Sequence, residues 1–322
     1  MKILSCSIII CTYNGEKKLR NTLKAIVNQE TTFPWELILI DNNSSDNTFS
    51  FSESILENSG IEYRLKRFSQ PGKMYAFWYG ISLAKYDYIL DCDDDNELFP
   101  DFLEEGLKIL NANPKVGALG SLGILPEQNV PDWFIFFSKS YAIGPQGNHL
   151  VPLPKFAHLY GAGCFYRKSI LNDLKNKGFE SLLSCRKGEE LTSGGDVEFC
   201  HAIQLLGYDL MYSETLKFFH HIGSERINFE YYLRLKRGIS SSFPILATYR
   251  LDEYFQGSHF KKFLISSFLI LVKGLIKTSF LPRNSYQRKV DYVVVRAKFW
   301  ALFKNYRTAI DGYKRNQKIF GS

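Results

Sequence analysis

The sequence predicts an α/β protein: a mostly parallel, doubly wound sheet flanked by helices, followed by a helical C-terminal appendage. Three observations carry this expectation. Short apolar runs, typical of strands covered on both faces, alternate with helical periodicity through the first part of the chain. These runs end in polar clusters, and in such sheets ligands sit beyond the carboxyl ends of the strands. From Phe255 onward the composition turns basic and aromatic.

The elements follow in order. Ser7–Cys11 is a continuous apolar run, broken at Thr12-Tyr13-Asn14-Gly15, after which Leu19, Leu23, Ile26 and Val27 recur at helical spacing. Trp35–Ile40 forms a second run, ending in Asp41-Asn42-Asn43-Ser44-Ser45-Asp46, with a helix expected from about Thr48 to Asn58. A third strand is expected over Ile61–Leu65, a helix over Tyr75–Leu83 and a fourth strand over Tyr88–Leu90. A helix over Leu103–Leu110 stops at Asn113-Pro114, and Val116–Leu119 begins a further strand. Pro126–Pro154, rich in Pro, Gly and aromatics (Trp133, Phe134, Phe136, Phe137), reads as a long loop with a short helix and as a wall for an acceptor. Gly161-Ala162-Gly163 suggests close backbone approach to a ligand or strand. A glycine-rich loop, Ser193-Gly194-Gly195-Asp196, opens a helix that ends at Gly207, and Phe218–His221 closes a strand.

At 322 residues, 45% apolar and 23% charged, the chain is long enough to bury a sizeable core and ordinary enough to be globular. Six cysteines without CxxC spacing point to reduced, buried thiols rather than disulfides or zinc. With no leader-like segment at Met1–Ser5, the expected setting is cytoplasmic. The net charge of +7 is uneven: from Phe255 onward there are 14 Lys/Arg against Asp291 and Asp311 alone. An acidic body with a basic, aromatic tail suits an anionic membrane or nucleic acid. No nucleic-acid module accompanies the tail, so nucleic acid is not expected as a partner. The apolar run Phe263–Val272 is far short of the roughly 20 residues a spanning helix needs. Lys261, Lys262, Lys273 and Lys277 bracket it, as in an amphipathic helix lying in a membrane interface, and Val290–Phe303 repeats the pattern. The alternative is a pair of helices packed on the body or in a homodimer.

Chemistry concentrates after the fourth strand. Asp91, Asp93, Asp94 and Asp95 place four carboxylates in five positions, a density that raises each neighbour's pKa unless a cation is present. Hard divalent cations such as Mg²⁺ and Mn²⁺ take carboxylates together with substrate phosphates. The competing reading is a solvated acidic turn. His220 and His221, at a strand end, suit a metal or a diphosphate as well as a purely structural role. Asp196 is either a reactive carboxylate or the N-terminal charge partner of its helix.

Taken together, these segments resemble the inverting, nucleotide-sugar-dependent glycosyltransferases of family two, with the GT-A fold. Ser7–Gly15 is similar to that family's opening strand and nucleotide loop, with Cys11 where proline is commoner. Asp41–Thr48 is similar to its second-strand motif. Pro71–Ala76 with Gly80-Ile81 resembles the helix before the metal strand, Phe77-Trp78 standing where a polar pair is more usual. Asp93-Asp94-Asp95-Asn96 resembles the DxD motif, and Ser193–Cys200 the loop and helix bearing the base, with Gly195 where glutamate often stands. The resemblance spans about Ser5 to Gly238 and implies a catalytic domain over residues 1–238 and a basic helical region over 239–322.

The resemblance also implies roles. Thr12, Tyr13, Asn14, Asp41 and Asn42 would hold the nucleoside, and Lys73, Asp93 and Asp94 the rest of the donor. Asp95, with Asp93 and His221, would bind Mg²⁺ or Mn²⁺ at the diphosphate. Asp196 would be the base that takes the acceptor's hydroxyl proton. The implied partners are a nucleoside-diphosphate sugar and a glycan or lipid-linked acceptor, met at the inner face of the cell membrane during surface-polysaccharide synthesis. A non-catalytic nucleotide-sugar-binding module is the alternative. Phosphatases that place DxD at a strand end take Thr or Val two residues after the second Asp, where this chain has Glu97. Nucleotidyltransferases carry a glycine- and arginine-rich N-terminal loop that is not found here.

Overall fold

The computed structural model describes residues 3–185, 191–250, 259–280 and 285–321; residues 186–190, shortly before the Ser193–Asp196 loop, and the region around Phe255 lie outside them. One eight-stranded sheet organises the chain, in the order β3-β2-β1-β4-β7-β6-β8-β5. Its parallel half is β1 (Cys6–Thr12), β2 (Trp35–Asp41), β3 (Tyr63–Arg67) and β4 (Tyr88–Cys92), joined through helices α1 (Leu19–Val27), α2 (Thr48–Leu56) and α3 (Lys73–Leu83). The apolar runs of β1, β2 and β4 are buried on both faces, whereas β3 at the edge is only partly covered. Ile8, Ile10, Leu37, Leu39 and Leu90 enter one core with α1 and α4 (Phe102–Ala112), while Ile9, Ile38, Ile40 and Ile89 enter the other with α3 and the later helices. The period-2 alternation of a strand thus feeds two layers from one run.

The second half is mixed. β7 (Cys164–Arg167) lies antiparallel between β4 and β6 (Val116–Ile124), so the segment after Gly161-Ala162-Gly163 is a strand. The long β8 (Asp209–His220) runs parallel to β6 and then pairs antiparallel with β5 (Asn96–Leu98), matching Asn96 to His220. This three-residue β5 is too short to carry a periodicity of its own and exists through its partner. Between β6 and β7, the Pro126–Pro154 stretch holds α5 (Asp132–Phe136) and a 3₁₀ turn at Ser138–Tyr141. Helices α6 (Lys168–Asn176) and α7 (Gly195–Leu205) complete the body. The six cysteines are all free, and all but Cys11 are buried.

After β8 the chain is helical: α8 (Phe229–Ser241), α9 (Phe243–Leu246), α10 (His259–Ser279), α11 (Tyr286–Lys304) and α12 (Tyr306–Phe320). No helix among the described residues is long and apolar enough to cross a membrane. Helix α12, which has no counterpart in the sequence reading, packs on the body beside α7. Its Gly312 sits against Leu182 and Thr248, where an added Cβ would come within 2.6 Å of the leucine. Asn316 is buried and donates to Thr248 Oγ1 at 3.0 Å. Beside it, Arg315 donates to the Tyr249 hydroxyl at 2.7 Å, which in turn donates to Glu198 Oε1 on α7 at 2.7 Å. The Leu183 amide donates to Glu198 Oε2 at 2.8 Å.

Burial pushes the fully enclosed Glu198 carboxyl up to about 7, against the pull of its hydrogen bonds and of Arg315. A carboxyl whose pKa is raised on folding binds its proton more tightly in the native state. Its contribution is complete below the unfolded value and is lost as pH rises through about 7. Urea melts of the native chain and Glu198→Gln at pH 5 and pH 8 should therefore differ. The native chain should lose on the order of 2–3 kcal/mol more than the variant over that interval; equal losses would place the carboxyl in a different environment.

Candidate functional site

The carboxyl ends of β1 and β2 lie level, with Thr12 opposite Asp41 in register. The loops beyond them are stapled to each other. Asn14 N donates to Ser44 Oγ and Ser45 N to Asn14 Oδ1, both at 2.9 Å, and Gly15 N donates to Thr48 Oγ1 at 2.8 Å. Asn14 adopts a positive φ of 50°, which Asn tolerates better than most residues. A Cβ at position 15 would come within 2.1 Å of Thr12 Oγ1, so the turn requires glycine. Asp41 is buried and accepts from Ser44 N at 2.9 Å. Asn42 spends its whole amide on the next loop, donating to Phe68 O and Gln70 O and accepting from Gly72 N at 2.9 Å. Tyr13, 50% exposed, offers its ring to the cleft.

The four carboxylates at the end of β4 are met by partners from several elements, Asp91 and Asp93 sharing one of them. Asp91 lies 3.3 Å from Lys73 Nζ, which also donates to Asp93 at 2.5 Å. Asp94 accepts from Thr12 Oγ1 at 2.7 Å, with Lys18 at 3.7 Å. Asp95 faces His220 Nε2 at 3.0 Å through one oxygen and accepts from Arg226 Nη1 at 2.7 Å through the other. Their acidities diverge accordingly. Burial raises Asp91 to about 7 against the charge of Lys73, and Asp94 to about 6 against that of Lys18. For Asp93 and Asp95 burial acts in the same sense but loses: Lys73 holds Asp93 below the usual carboxylate range, and His220 with Arg226 holds Asp95 well below it. Asp91, which lies outside the Asp93–Asp95 motif, thus helps Asp93 to hold Lys73.

Asp93, Asp95 and His220 bring three ligand atoms within 4.8 Å of one another. Two carboxylates and an imidazole with room for phosphate oxygens form a donor set that fits Mn²⁺ well and Mg²⁺ acceptably. The geometry corrects the expectation for His221. Because Asn96 pairs with His220, it is His220 that meets Asp95, while His221 turns to Glu97 with Nε2 2.6 Å from the carboxylate.

The opposite wall comes from α7 and the strand β7 loop. Asp196, in the first turn of α7, accepts from Val197 N at 2.9 Å through one oxygen and from Gly161 N at 3.3 Å through the other. A Cβ at Gly161 would stand 3.0 Å from Asp91 Oδ2 and 3.5 Å from Asp196 Cβ, so the missing side chain lets the two walls approach. A cleft of about 810 Å³ joins all of this, bordered by Thr12, Tyr13, Asn42, Lys73, Asp93, Asp94, Asp95, His220 and Asp196 among others. Its volume suits a nucleotide-sized ligand. Asn14 and Asp41 are not in its lining; they hold the loops behind it. The expected acceptor wall also shifts: Trp133 and Phe134 are buried in an aromatic cluster with Tyr141 and Tyr232, and only the stretch from Lys139 onward reaches the cleft. Sequence left His220 and His221 unseparated as ligands and marked Gly161 for close approach, whereas Arg226 was not singled out. The available signal was the His220-His221 pair followed closely by Arg226, whose partner lies 131 residues away.

Comparison with known proteins is consistent with this geometry. Residues 7–175 match the model of glycosyl transferase family 2. Chondroitin synthase of Pasteurella multocida is 33% identical over 94 residues, 29% of this chain and 10% of that protein. A glycosyltransferase of Haemophilus influenzae described as uncharacterized is 30% identical over 118 residues, 36% of this chain and 35% of that protein. The chain therefore spans between a tenth and about a third of the length of these relatives. Among solved structures, the mannosyltransferase PcManGT of Pyrobaculum calidifontis, in complex with GDP-Man and Mn²⁺, superposes with a TM-score of 0.57 at 15% identity, covering 99% of this chain and 86% of that one. TarS of S. aureus gives 0.52 at 16% identity, covering 96% and 55%. Both likenesses speak for the fold. With the family model matched over more than half its length, the chain belongs to glycosyl transferase family 2.

Proposed function

We propose that this chain transfers a sugar from a nucleoside-diphosphate sugar to an acceptor hydroxyl with inversion at the anomeric carbon, using Mg²⁺ or Mn²⁺. The observation that carries the reading is the shared cleft: the stapled loops after β1 and β2, the Asp93–Asp95–His220 group and Asp196 all border one space. The synthase names among the relatives and the Mn²⁺ and GDP-Man of the mannosyltransferase complex support it.

In this reading Tyr13 stacks on the base, and Thr12 and Asn42 border the nucleoside. Asp93, Asp95 and His220 hold the cation, which when bound offsets the charge growing on the departing diphosphate. Asp196 accepts the proton of the acceptor hydroxyl as that oxygen bonds to the anomeric carbon. The bond from that carbon to the phosphate oxygen breaks on the opposite side, and its electron pair leaves with the nucleoside diphosphate. The Gly161 and Val197 amides fix both Asp196 oxygens, so the base is oriented before substrate arrives. The division into a catalytic region over 1–238 and a basic helical region over 239–322 belongs to the same proposal, as does an acceptor that is a glycan or lipid-linked glycan of a surface polysaccharide.

The basic region would bring the enzyme to an anionic membrane at its cytoplasmic face. Ile265, Leu269 and Phe280 on or just beyond α10, and Trp300 and Phe303 on α11, are more than half exposed, with Phe280 at 84%. Lys262, Lys273, Lys277 and Lys304 lie along the same two helices. Large apolar side chains among lysines match an anionic interface, each cation adding about 1 kcal/mol near the surface. A homodimer through this face is the competing occupant.

Asp196→Asn should lower transfer by roughly 10²–10⁴-fold, the usual worth of a general base, while nucleoside diphosphate with Mn²⁺ stabilises native and variant chains equally in thermal shift. A variant of near-native activity would remove Asp196 from the base role. The anomeric proton coupling of the product, read by NMR, decides inversion against retention. For the membrane, Trp300→Glu with Phe303→Glu should abolish cosedimentation with phosphatidylglycerol vesicles. Unchanged sedimentation, or dimers dissociated by the same pair, would assign the face to something other than lipid.

A further inference from the structure

Asp95 is held by an imidazole and a guanidinium at once, and only one of them can take part in metal binding. His220 offers a ring nitrogen that ligates metals; the Arg226 guanidinium has donors only and cannot. Yet Arg226 Nη1 sits one hydrogen bond, 2.7 Å, from the Oδ2 of the central carboxylate of the group. A divalent ion bound through Asp95 would add a like charge to the carboxylate that Arg226 already holds, and binding through both oxygens would need the one Arg226 occupies.

The setting of Arg226 differs from that of an arginine built into a fold. Arg167 illustrates the latter: Nε donates to Val116 O, Nη2 to Leu110 O and Asn113 O, and Nη1 to the Tyr88 hydroxyl. Arg226 instead has a buried Nε without a partner, and its guanidinium borders the cleft. Its backbone is the fixed part, closing the 3₁₀ turn Ser224–Arg226 and accepting the Tyr141 hydroxyl at its carbonyl at 3.0 Å. Tyr231, also at the cleft, lies beside the side chain. The backbone is pinned, and the head group is shared between the Asp95 carboxylate and Tyr231.

We propose that Arg226 is an exchangeable counter-ion. It neutralises Asp95 in the metal-free protein, yields that carboxylate oxygen when a divalent cation binds, and turns its guanidinium to the phosphate that accompanies the cation. A planar, always-charged fork suits both partners, carboxylate first and phosphate second. The inference rests on the metal reading given above and deepens it: cation and donor would be taken up together, because each removes the obstacle to the other.

Calorimetric titration of Mn²⁺ into the full chain without donor tests it, comparing the native protein with Arg226→Gln and Arg226→Lys. Arg226→Gln should bind Mn²⁺ about tenfold more tightly than the native chain, since the competing charge is gone. At saturating Mn²⁺ the same variant should bind uridine and guanosine diphosphate more weakly. Arg226→Lys should stay near the native values in both titrations. Without metal, Arg226→Gln should melt below the native chain, and Mn²⁺ should close that gap. Equal or weaker Mn²⁺ binding by Arg226→Gln, with the native chain binding normally, would overturn the counter-ion role alone. Failure of the native chain to bind Mn²⁺ would overturn the metal reading and this proposal with it.

Discussion

The constraint on which the rest of the structure depends is electrostatic: four carboxylates at the end of one strand, two of them buried and two half-buried. Left to themselves they would repel one another and stay protonated. The fold answers by bringing partners to them from four different elements, one lysine serving two carboxylates and two groups serving a third. Lys73 comes from the start of α3, Thr12 from the end of β1, His220 from the end of β8 and Arg226 from the turn beyond it. The strand order serves this end. β1 and β8 are far apart in the chain, yet both finish beside the loop that follows β4, β8 by way of β5.

How much of this was legible follows from where the information resides. Ser7–Cys11, Trp35–Ile40 and Tyr88–Leu90 announce themselves because a strand buried on two faces must be apolar throughout, a local property of sequence. The clusters that end them are equally local, so Thr12, Tyr13, Asp93 and Asp95 could be placed at a common edge. β5 and β7 are three and four residues long and are strands only through what they pair with. The choice between His220 and His221 turns on the register of that pairing, and no local pattern encodes it. Asn42 shows the converse. Its motif position suggested a ligand contact, and it does border the cleft, but its amide is consumed by carbonyls and an amide of the 68–72 loop.

The wall opposite the carboxylates obeys a different rule, that of close approach. Gly161 and Gly195 both stand where a side chain would collide, the first with Asp91, the second with the Met74 sulfur 2.4 Å from an added Cβ. The sequence marks such positions as glycine without saying what approaches. The Gly195 amide donates to Cys185 Sγ at 3.1 Å, and the Cys185 and Ser184 carbonyls accept from Lys73 N and Met74 N. One short segment thus fixes the starts of α3 and α7 relative to each other, and with them Lys73 and Asp196.

The buried Glu198 on α7 has a consequence for the order in which the chain assembles. Its hydroxyl partner, Tyr249, lies 51 residues downstream, and the arginine that supports that tyrosine lies a further 66 on. While a nascent chain is still short of α12, the helix bearing Asp196 carries a carboxyl whose enclosure is unfinished. Closing loops of that length is entropically costly and slow. The β1–β4 half of the sheet lies within residues 6–92, but the helix that completes the cleft is secured only once a distant segment has been made. Maturation of the site is in this sense a late event of synthesis, separated in time from the folding of the sheet that supports it.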